Sequence, residues 1–429
     1  MKSPVTRFKH GALKPALMSL FAITFFTSSA KAQGSFDPSS AWQELENVIT
    51  TQYAYLDRHN VDVHKLIAEY QARAKSVKTH AEFTDIGQQF LRHFYDPHLN
   101  MGPYNELDYS VFPTGSDINA SYIDGHFVIQ DIKANSAADA AGLRPGYKII
   151  SIDGLSAQQA IEKVFGQQLA QLTKEQINYG LNISLGGLRN ATRNISVEYD
   201  GQMKSIALAA TYDAINSLNN GPVISFENFE GIGYVRFNNA LGNQKTVTMF
   251  QQALITLKDT DALIIDLRNT PSGGNTGVAE PILGHFVTSK KVYQLYQVQE
   301  SGTPYINATR QQAHVTPSQP HYDKPYVVLA GHWTGSMGEG MTIGLDAIGA
   351  TTVIGAPMAD LLGGIKTVQL QESNNWLELG FERLYHVNGT YREDFVPHQR
   401  VNPADRDKNG NDPALRFAKQ YLKRLLNAQ

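Results

Sequence analysis

The sequence predicts an α/β fold: a buried, largely parallel sheet, preceded by a helical segment and a mainly β insertion. Three observations carry this. From about Pro222 onward, strand-like and helix-like stretches alternate, the pattern of a sheet covered by helices. Ala262-Leu-Ile-Ile-Asp-Leu267 is almost continuously apolar, as a strand buried on both faces must be. Between about Glu106 and Tyr212 the runs are short, strand-like and punctuated by turn residues. At 429 residues the chain exceeds one ordinary core, so two or three domains are expected.

The elements follow in order. Met1–Ala32 holds five basic residues and no acid, an apolar run at Ala16–Phe26 and an Ala30-Lys31-Ala32 cleavage pattern, which together read as an export signal over 1–32. The apolar run is too short to span a bilayer. Residues 33–105 read as helical. Ser40-x-x-Gln43 and Thr79-x-x-Glu82 are expected capping boxes, and Phe83, Ile86, Phe90, Leu91 and Phe94 recur at helical spacing. Regular helix stops at Asp96-Pro97-His98, because proline has no amide to donate.

Within 106–212, strands are expected at Phe127–Ile132 and Lys148–Ile152, with a short Ala-rich helix inside Asn135–Gly146. Asp200-Gly201 marks a hairpin between Ile195–Tyr199 and Gln202–Leu208. In 213–429 the expected strands are Gly233–Phe237, Ala262–Leu267, Tyr326–Gly331 and Thr352–Gly355. Helices are expected at Lys245–Lys258, after Thr334, and at Ala414–Leu426, where the last is amphipathic.

Composition narrows the function classes. Apolar residues at 42% and charged residues at 18% fit a globular protein. Without the five basic residues of the leader, 32 of the 37 remain against 40 acidic residues. An acidic balance gives no electrostatic reason to expect nucleic acid or an anionic membrane as partner. The chain has no cysteine, which excludes disulfides, thiolate metal sites, a lipidated cysteine and a cysteine nucleophile together. An export signal without cysteine suits a bacterial periplasmic or secreted protein. Beyond the leader no stretch is apolar enough to anchor the chain in a membrane. No metal and no cofactor is expected.

Two stretches carry chemistry. In Val327-Val-Leu-Ala-Gly-His-Trp-Thr-Gly-Ser336-Met-Gly-Glu339 a buried strand runs through small residues into a helix. A hydroxyl at Ser336 can project there, while free N–H groups and the helix dipole stabilise oxyanion charge; a plain helix cap is the bland alternative. In Ile265-Asp-Leu-Arg-Asn-Thr-Pro-Ser-Gly-Gly274 a strand ends in a charged pair and a glycine loop, whose amides can approach a ligand closely. Asp266 and Arg268 read equally well as a structural ion pair.

Taken together these features resemble the C-terminal-processing (tail-specific) serine peptidases. Asp96-x-His98, Ser136-Ala-Ala-x-x-Ala-Gly-Leu-Arg-Pro-Gly146, Gly233-Tyr-Val-Arg-Phe, Asp266-Leu-Arg-x-x-Pro-x-Gly-Gly274, Thr334-x-Ser336-x-x-Glu339, Val353-Ile-Gly355 and Asp407-x-x-Gly-x-Asp-Pro-x-Leu415 occur in that family's order. The resemblance implies a ClpP/crotonase-like peptidase core at 213–429, an N-terminal helical segment at 33–105 and an inserted PDZ-like domain at 106–212. It also implies a serine nucleophile at Ser336 acting through an acyl-enzyme, with oxyanion donors among the amides of Gly273, Gly274 and Met337.

The family uses two bases. One arrangement takes a lysine directly after a T-x-G motif. Here that position is Gly364, and Lys366 lies two residues late, an offset of roughly 6–7 Å along a strand. The other resembles the tricorn-core and interphotoreceptor-retinoid-binding-protein-like branch, with an early histidine as base and a late glutamate as its orienter. His98 and Glu393 match those places, with Asp394 and Asp96 as alternative orienters. A serine needs such a base, because its free hydroxyl is a weak nucleophile near neutral pH.

The chain departs from the family at Tyr147, at Ser272 in the glycine loop and at His398. The expected partner is a peptide or protein substrate, with engagement through its C-terminus, edge-strand addition to the PDZ-like sheet and oligomerisation all open. Two rival readings remain at this stage: a catalytically silent peptide- or lipophile-binding relative, and an acyl-CoA enzyme on the same core.

Overall fold

The structure, a computed structural model, describes residues 36–58, 60–299 and 305–428; the expected export signal at 1–32 lies outside the described residues. Helix α1 (Pro38–Gln52) begins at Asp37, whose carboxylate accepts the Ser39 N–H at 3.0 Å. The cap therefore falls at Asp37 and not at Ser40. Asp-Pro supplies both an acceptor and a preset φ at the first turn. Helix α2 (Val63–Ser76) follows. Helix α3 (His80–Arg92) opens on the expected Thr79–Glu82 box, with reciprocal bonds of 3.2 and 3.1 Å. Trp42, Leu45, Tyr70, Phe83 and Phe90 bury the three helices against one another.

After the short strand β1 (Asn100–Gly102), the chain builds a sheet of its own. It comprises β2 (Ile118–Ile123), β3 (His126–Ile132), helix α4 (Ala137–Ala140), β4 (Lys148–Ile152), β5 (Leu155–Ser156), α5 (Ala157–Phe165), α6 (Lys174–Gly186), β6 (Arg193–Tyr199) and β7 (Gln202–Leu208). The strand order is β2-β3-β4-β6-β7, with β5 on β4. Ile129, Ile152, Phe165, Leu181 and Val197 form a separate core beneath it. The strands and the hairpin lie where the sequence put them.

Helix α6 has no sequence counterpart above, and it bears on binding. Asn182 accepts the Ala120 N–H and donates to the Ala120 carbonyl, both at 2.9 Å, and Asn178 accepts the Tyr122 N–H at 2.8 Å. Two asparagines thus occupy the outer edge of β2, where an added peptide strand would otherwise pair.

Helix α7 (Thr211–Asn219) leads into β8 (Ile224–Phe229), β9 (Ile232–Phe237), α8 (Lys245–Thr256), β10 (Ala262–Asp266), α9 (Thr276–Leu283), β11 (Lys291–Val298) and β12 (Gln311–Val315). Then come β13 (Tyr326–Ala330), α10 (Met337–Ile348), β14 (Thr352–Gly355), β15 (Gly364–Leu370), β16 (Asn375–Tyr385), β17 (Gln399–Arg400) and α11 (Pro413–Asn427). One sheet runs β17-β14-β13-β10-β9-β8 and is parallel except between β8 and β9. Every residue of β10 and β13 is buried, which explains their unbroken apolar runs. Helices α8, α9 and α10 cover one face, and α11 covers the other through Ala414, Ala418 and Leu422.

The alternation expected after Pro222 does not run through the whole segment. β1, β16, β11 and β12, with β15 on β16, form an antiparallel sheet. β15 alternates exposed and half-buried residues, as a strand with one wet face does. β1 pairs with β16 just after His98, and bonds from Leu362 to Asp96 and His98 stitch this stretch beside the loop that enters β15. No helix among the described residues is long and apolar enough to cross a membrane.

Candidate active site

β10 and β13 are neighbouring parallel strands, and the chemistry gathers beyond their carboxyl ends, where open α/β sheets leave a crevice. The loops after them interlock. Thr334 Oγ1 accepts the Gly331 N–H at 3.0 Å and donates to the Leu267 carbonyl at 3.1 Å. The Thr270 N–H donates to Trp333 O at 3.1 Å, and the Gly335 N–H to Thr270 O at 3.3 Å.

Ser336 stands at this junction with φ 51° and ψ −113°, a conformation unfavourable for a residue with a Cβ. Both its backbone groups are held. Its N–H donates to Glu339 Oε2 at 2.7 Å, and its carbonyl accepts from Arg392 Nη1 at 3.3 Å. The hydroxyl half of the capping box falls short of hydrogen-bond geometry, so Ser336 is not a side-chain cap. It lines a cavity of about 390 Å³ together with His98, Gly274, Met337, Gly364 and Arg392.

His98 comes to this cavity from the opposite side of the sequence, and a buried carboxylate fixes it there. Asp96 Oδ1 accepts the His98 N–H at 2.8 Å and the Leu362 N–H at 3.3 Å, while Oδ2 accepts the Tyr53 hydroxyl at 2.8 Å. The imidazole in turn bonds the Leu362 carbonyl through Nδ1 at 3.0 Å. A carbonyl can only accept, so Nδ1 carries the proton and Nε2 is left with a lone pair. No hydrogen bond joins that nitrogen to Ser336 among the described residues. Burial pulls the His98 pKa down to about 3, and the Arg392 charge adds to this against the Leu362 bond. Burial likewise pushes Asp96 up to about 7.

The three amides expected as oxyanion donors, those of Gly273, Gly274 and Met337, do not share one environment. The Gly273 N–H is taken by the Thr270 carbonyl at 3.0 Å, and Gly273 does not line the cavity. Its role is clearance: with φ +64°, a Cβ there would lie 2.9 Å from Ser336 Oγ and 3.1 Å from Met337 N. Gly274 and Met337 do line the cavity, and their N–H groups have no partner among the described residues. Met337 is the first residue of α10, where an amide is free by construction.

Glu393 is not brought to His98. It does not line the cavity, and both its carboxylate oxygens are buried without a hydrogen bond. Its nearest cation is Arg58, 3.8 Å away, and burial pushes its pKa to about 7. Asp394 pairs with the same arginine at 2.8 Å. The described hydrogen bonds of His98 go instead to the Leu362 carbonyl and to Asp96.

Lys366 is also absent from the cavity lining, which contains Gly364 and Ile365 instead. An irregularity in the β15–β16 register falls between those two residues, so both reach the cavity and Lys366 does not. Asp266 and Arg268 form the structural pair. Arg268 bonds Asp266 at 2.7 Å and Asp412, the cap of α11, at 2.8 Å.

The residue that sequence reasoning passed over is Arg392, next to Glu393. It is 1% exposed and its guanidinium reaches the carbonyls of Ser336, Leu361 and Gly363. It also lies 3.7 Å from Glu339, which is fully buried and accepts the N–H groups of Ser336, Asp360 and Leu361. A buried arginine with a planar fork is suited to tying several carbonyls together. The only sequence signal was its place inside the motif chosen for Glu393.

Comparison with known proteins agrees with this architecture. The chain is 25% identical over 302 residues to a carboxyl-terminal-processing protease of Picosynechococcus sp., covering 68% of this chain and 57% of that protein. It is 26% identical over 193 residues to the carboxy-terminal processing protease CtpB of Bacillus subtilis, covering 44% of this chain and 35% of that protein. It therefore spans little more than half of one relative and about a third of the other.

Among solved structures it is similar to a photosystem II D1 C-terminal processing protease, with 16% identity, TM-score 0.55, and coverage of 86% of this chain and 95% of that one. It is also similar to mature CPAF complexed with lactacystin, with 15% identity, TM-score 0.60, and coverage of 90% and 97%. These likenesses show a shared fold. Residues 231–401 match the model of peptidase family S41, and it is this segment that is similar to that family.

Proposed function

We propose that this protein is an exported serine peptidase that cleaves peptides or unfolded, tail-exposed proteins through an acyl-enzyme. The observation that carries the reading is that Ser336, His98 and the unpartnered amides of Gly274 and Met337 face one cavity. Ser336 Oγ attacks the scissile carbonyl and passes its proton to His98 Nε2. The carbonyl oxygen gains charge between the two amides. The imidazolium then protonates the leaving amine, and water repeats the sequence on the ester. Leu362 and Asp96 position the imidazole. In this reading residues 106–212 form the PDZ-like module and 213–429 the peptidase core, and the mature chain works in the bacterial periplasm or outside the cell.

Two measurements test this. A fluorophosphonate probe is expected to label the wild-type chain at Ser336 and to leave Ser336→Ala unlabelled. Absence of labelling under conditions where the protein is folded would mean a binding protein in place of an enzyme.

The second measurement is the pH profile. A His98 pKa near 3 keeps the base neutral through mildly acidic solution, so the acid limb of kcat/KM is expected below pH 5. A limb near 6.5, the ordinary imidazole value, would contradict the buried-base assignment. The sign for stability is the same. A depressed folded pKa contributes stability that is complete above about 6.5 and is lost as pH falls towards 3.

A further inference from the structure

A second cavity, of about 500 Å³, opens between the 118–208 sheet and the core. The glycine loop separates it from the first. Thr114 lines both cavities, and its hydroxyl lies 3.3 Å from Pro271 O and 3.2 Å from Ser272 Oγ.

The charged lining of this cavity is lopsided. Lys133, directly after β3, is 8% exposed, and its ammonium has no hydrogen bond or ion pair among the described residues. Arg236, on β9, is half-buried; its Nε is buried without a hydrogen bond, and its charge is felt by Asp266. Arg193, by contrast, is committed to Asp117 at 2.7 and 3.0 Å and to backbone carbonyls. Asp117 is the one carboxylate in the lining, and it is spent on that pair. Behind the wall, Asp405 and Asp266 face Arg268 at 3.7 and 2.7 Å. Burial lowers the Lys133 pKa to about 8, with Asp405 opposing and Arg236 adding to the shift. Asn269, 3% exposed, adds a buried Oδ1 with no donor.

Lys133 and Arg236 face the cavity with no carboxylate in direct contact, only Asp405, Asp117 and Asp266 acting from further off, so an anion between them gains from both. We propose that this cavity is a carboxylate-binding site, in which Lys133 and Arg236 hold the anion and Asn269 Oδ1 accepts an N–H beside it. A carboxylate with an adjacent N–H is offered by the free C-terminus of a peptide or by a small N-acylated amino acid. For the peptide source the inference rests on the peptidase reading above. It departs from edge-strand addition, because the β2 edge is already filled by Asn178 and Asn182.

The test uses the full-length Ser336→Ala chain, which binds without turnover. Titration calorimetry compares N-acetyl-tetra-alanine as the free acid, the same peptide as its C-terminal amide, and N-acetyl-alanine. The acid is expected to bind about 10- to 100-fold more tightly than the amide, the range for a charge-assisted contact. Lys133→Met and Arg236→Gln should each erase most of that preference, and Lys133→Arg should retain it.

Lys133→Met removes a buried unpaired charge and is expected to raise the melting temperature, which separates lost binding from lost folding. Equal binding of the tetrapeptide acid and N-acetyl-alanine assigns the site to small acids; tighter binding of the tetrapeptide assigns it to chain termini. The proposal is overturned if acid and amide bind alike, if neither binds, or if the preference survives both Lys133→Met and Arg236→Gln. Failure of the peptidase reading shows separately, as a wild-type chain that prefers the acid yet hydrolyses nothing.

Discussion

His98→Ala is expected to lower kcat/KM towards an unfolded protein substrate by about 1,000- to 10,000-fold, while Lys366→Ala stays within about threefold of wild type. The asymmetry follows from where the two side chains sit. His98 Nδ1 is committed to the Leu362 carbonyl, so Nε2 is the basic nitrogen, and His98 lines the cavity that holds Ser336. Lys366 follows Ile365 on β15, and Ile365, not Lys366, lines the cavity. Gly364, two residues before Lys366, also lines the cavity, and a Cβ built there would collide with the Glu382 side chain.

Residual activity in His98→Ala comes from the amides of Gly274 and Met337, which the substitution leaves in place. Side-by-side proteolysis of a denatured protein panel decides the point. Loss confined to Lys366→Ala would transfer the base to the lysine and remove His98 from the mechanism.

The parts of this molecule that were legible in sequence are those governed by local rules. β10 and β13 announced themselves because burial on both faces demands unbroken apolar runs. The Thr79–Glu82 box and the Asp200-Gly201 hairpin rest on contacts within a few residues. Ser336 and the glycine loop were legible because a strand-to-helix turn of small residues has few other uses.

Contacts set by distant chain were not legible. Helix α6 buries Asn182 to bond β2, 62 residues earlier, and no periodicity reports such a pairing. The antiparallel β15–β16 sheet was hidden inside a segment whose neighbours alternate with helices. The hydrogen-bond partner of the His98 ring is a backbone carbonyl, Leu362, 264 residues away. A carbonyl has no side-chain signature, so a reading of side chains turned to the acidic motif at Glu393 and could not see Leu362.

Arg392→Ala is expected to destabilise the chain by about 3–5 kcal/mol, the range for removing one partner of a buried ion pair, and to abolish activity with it. The guanidinium is 1% exposed and is the cation facing Glu339, 3.7 Å away. It also satisfies the carbonyls of Ser336, Leu361 and Gly363, so alanine leaves buried acceptors without donors and, where Glu339 would ionise above about pH 8, a carboxylate without its counter-charge. Burial already pushes Glu339 to about 8 against the pull of Arg392. Without that pull the folded-state pKa rises further.

A raised folded pKa gives stability that is lost as pH increases, so the defect should deepen from pH 6 to 9, across the window set by that value of about 8. Arg392→Ala combined with Glu339→Gln should be less destabilised than the two single changes summed, because the second change removes the stranded charge. Denaturant unfolding at both pH values measures each effect. A destabilisation under about 1 kcal/mol, or one independent of pH, would mean that Glu339 does not depend on Arg392 and that the strained Ser336 turn is held by its other contacts.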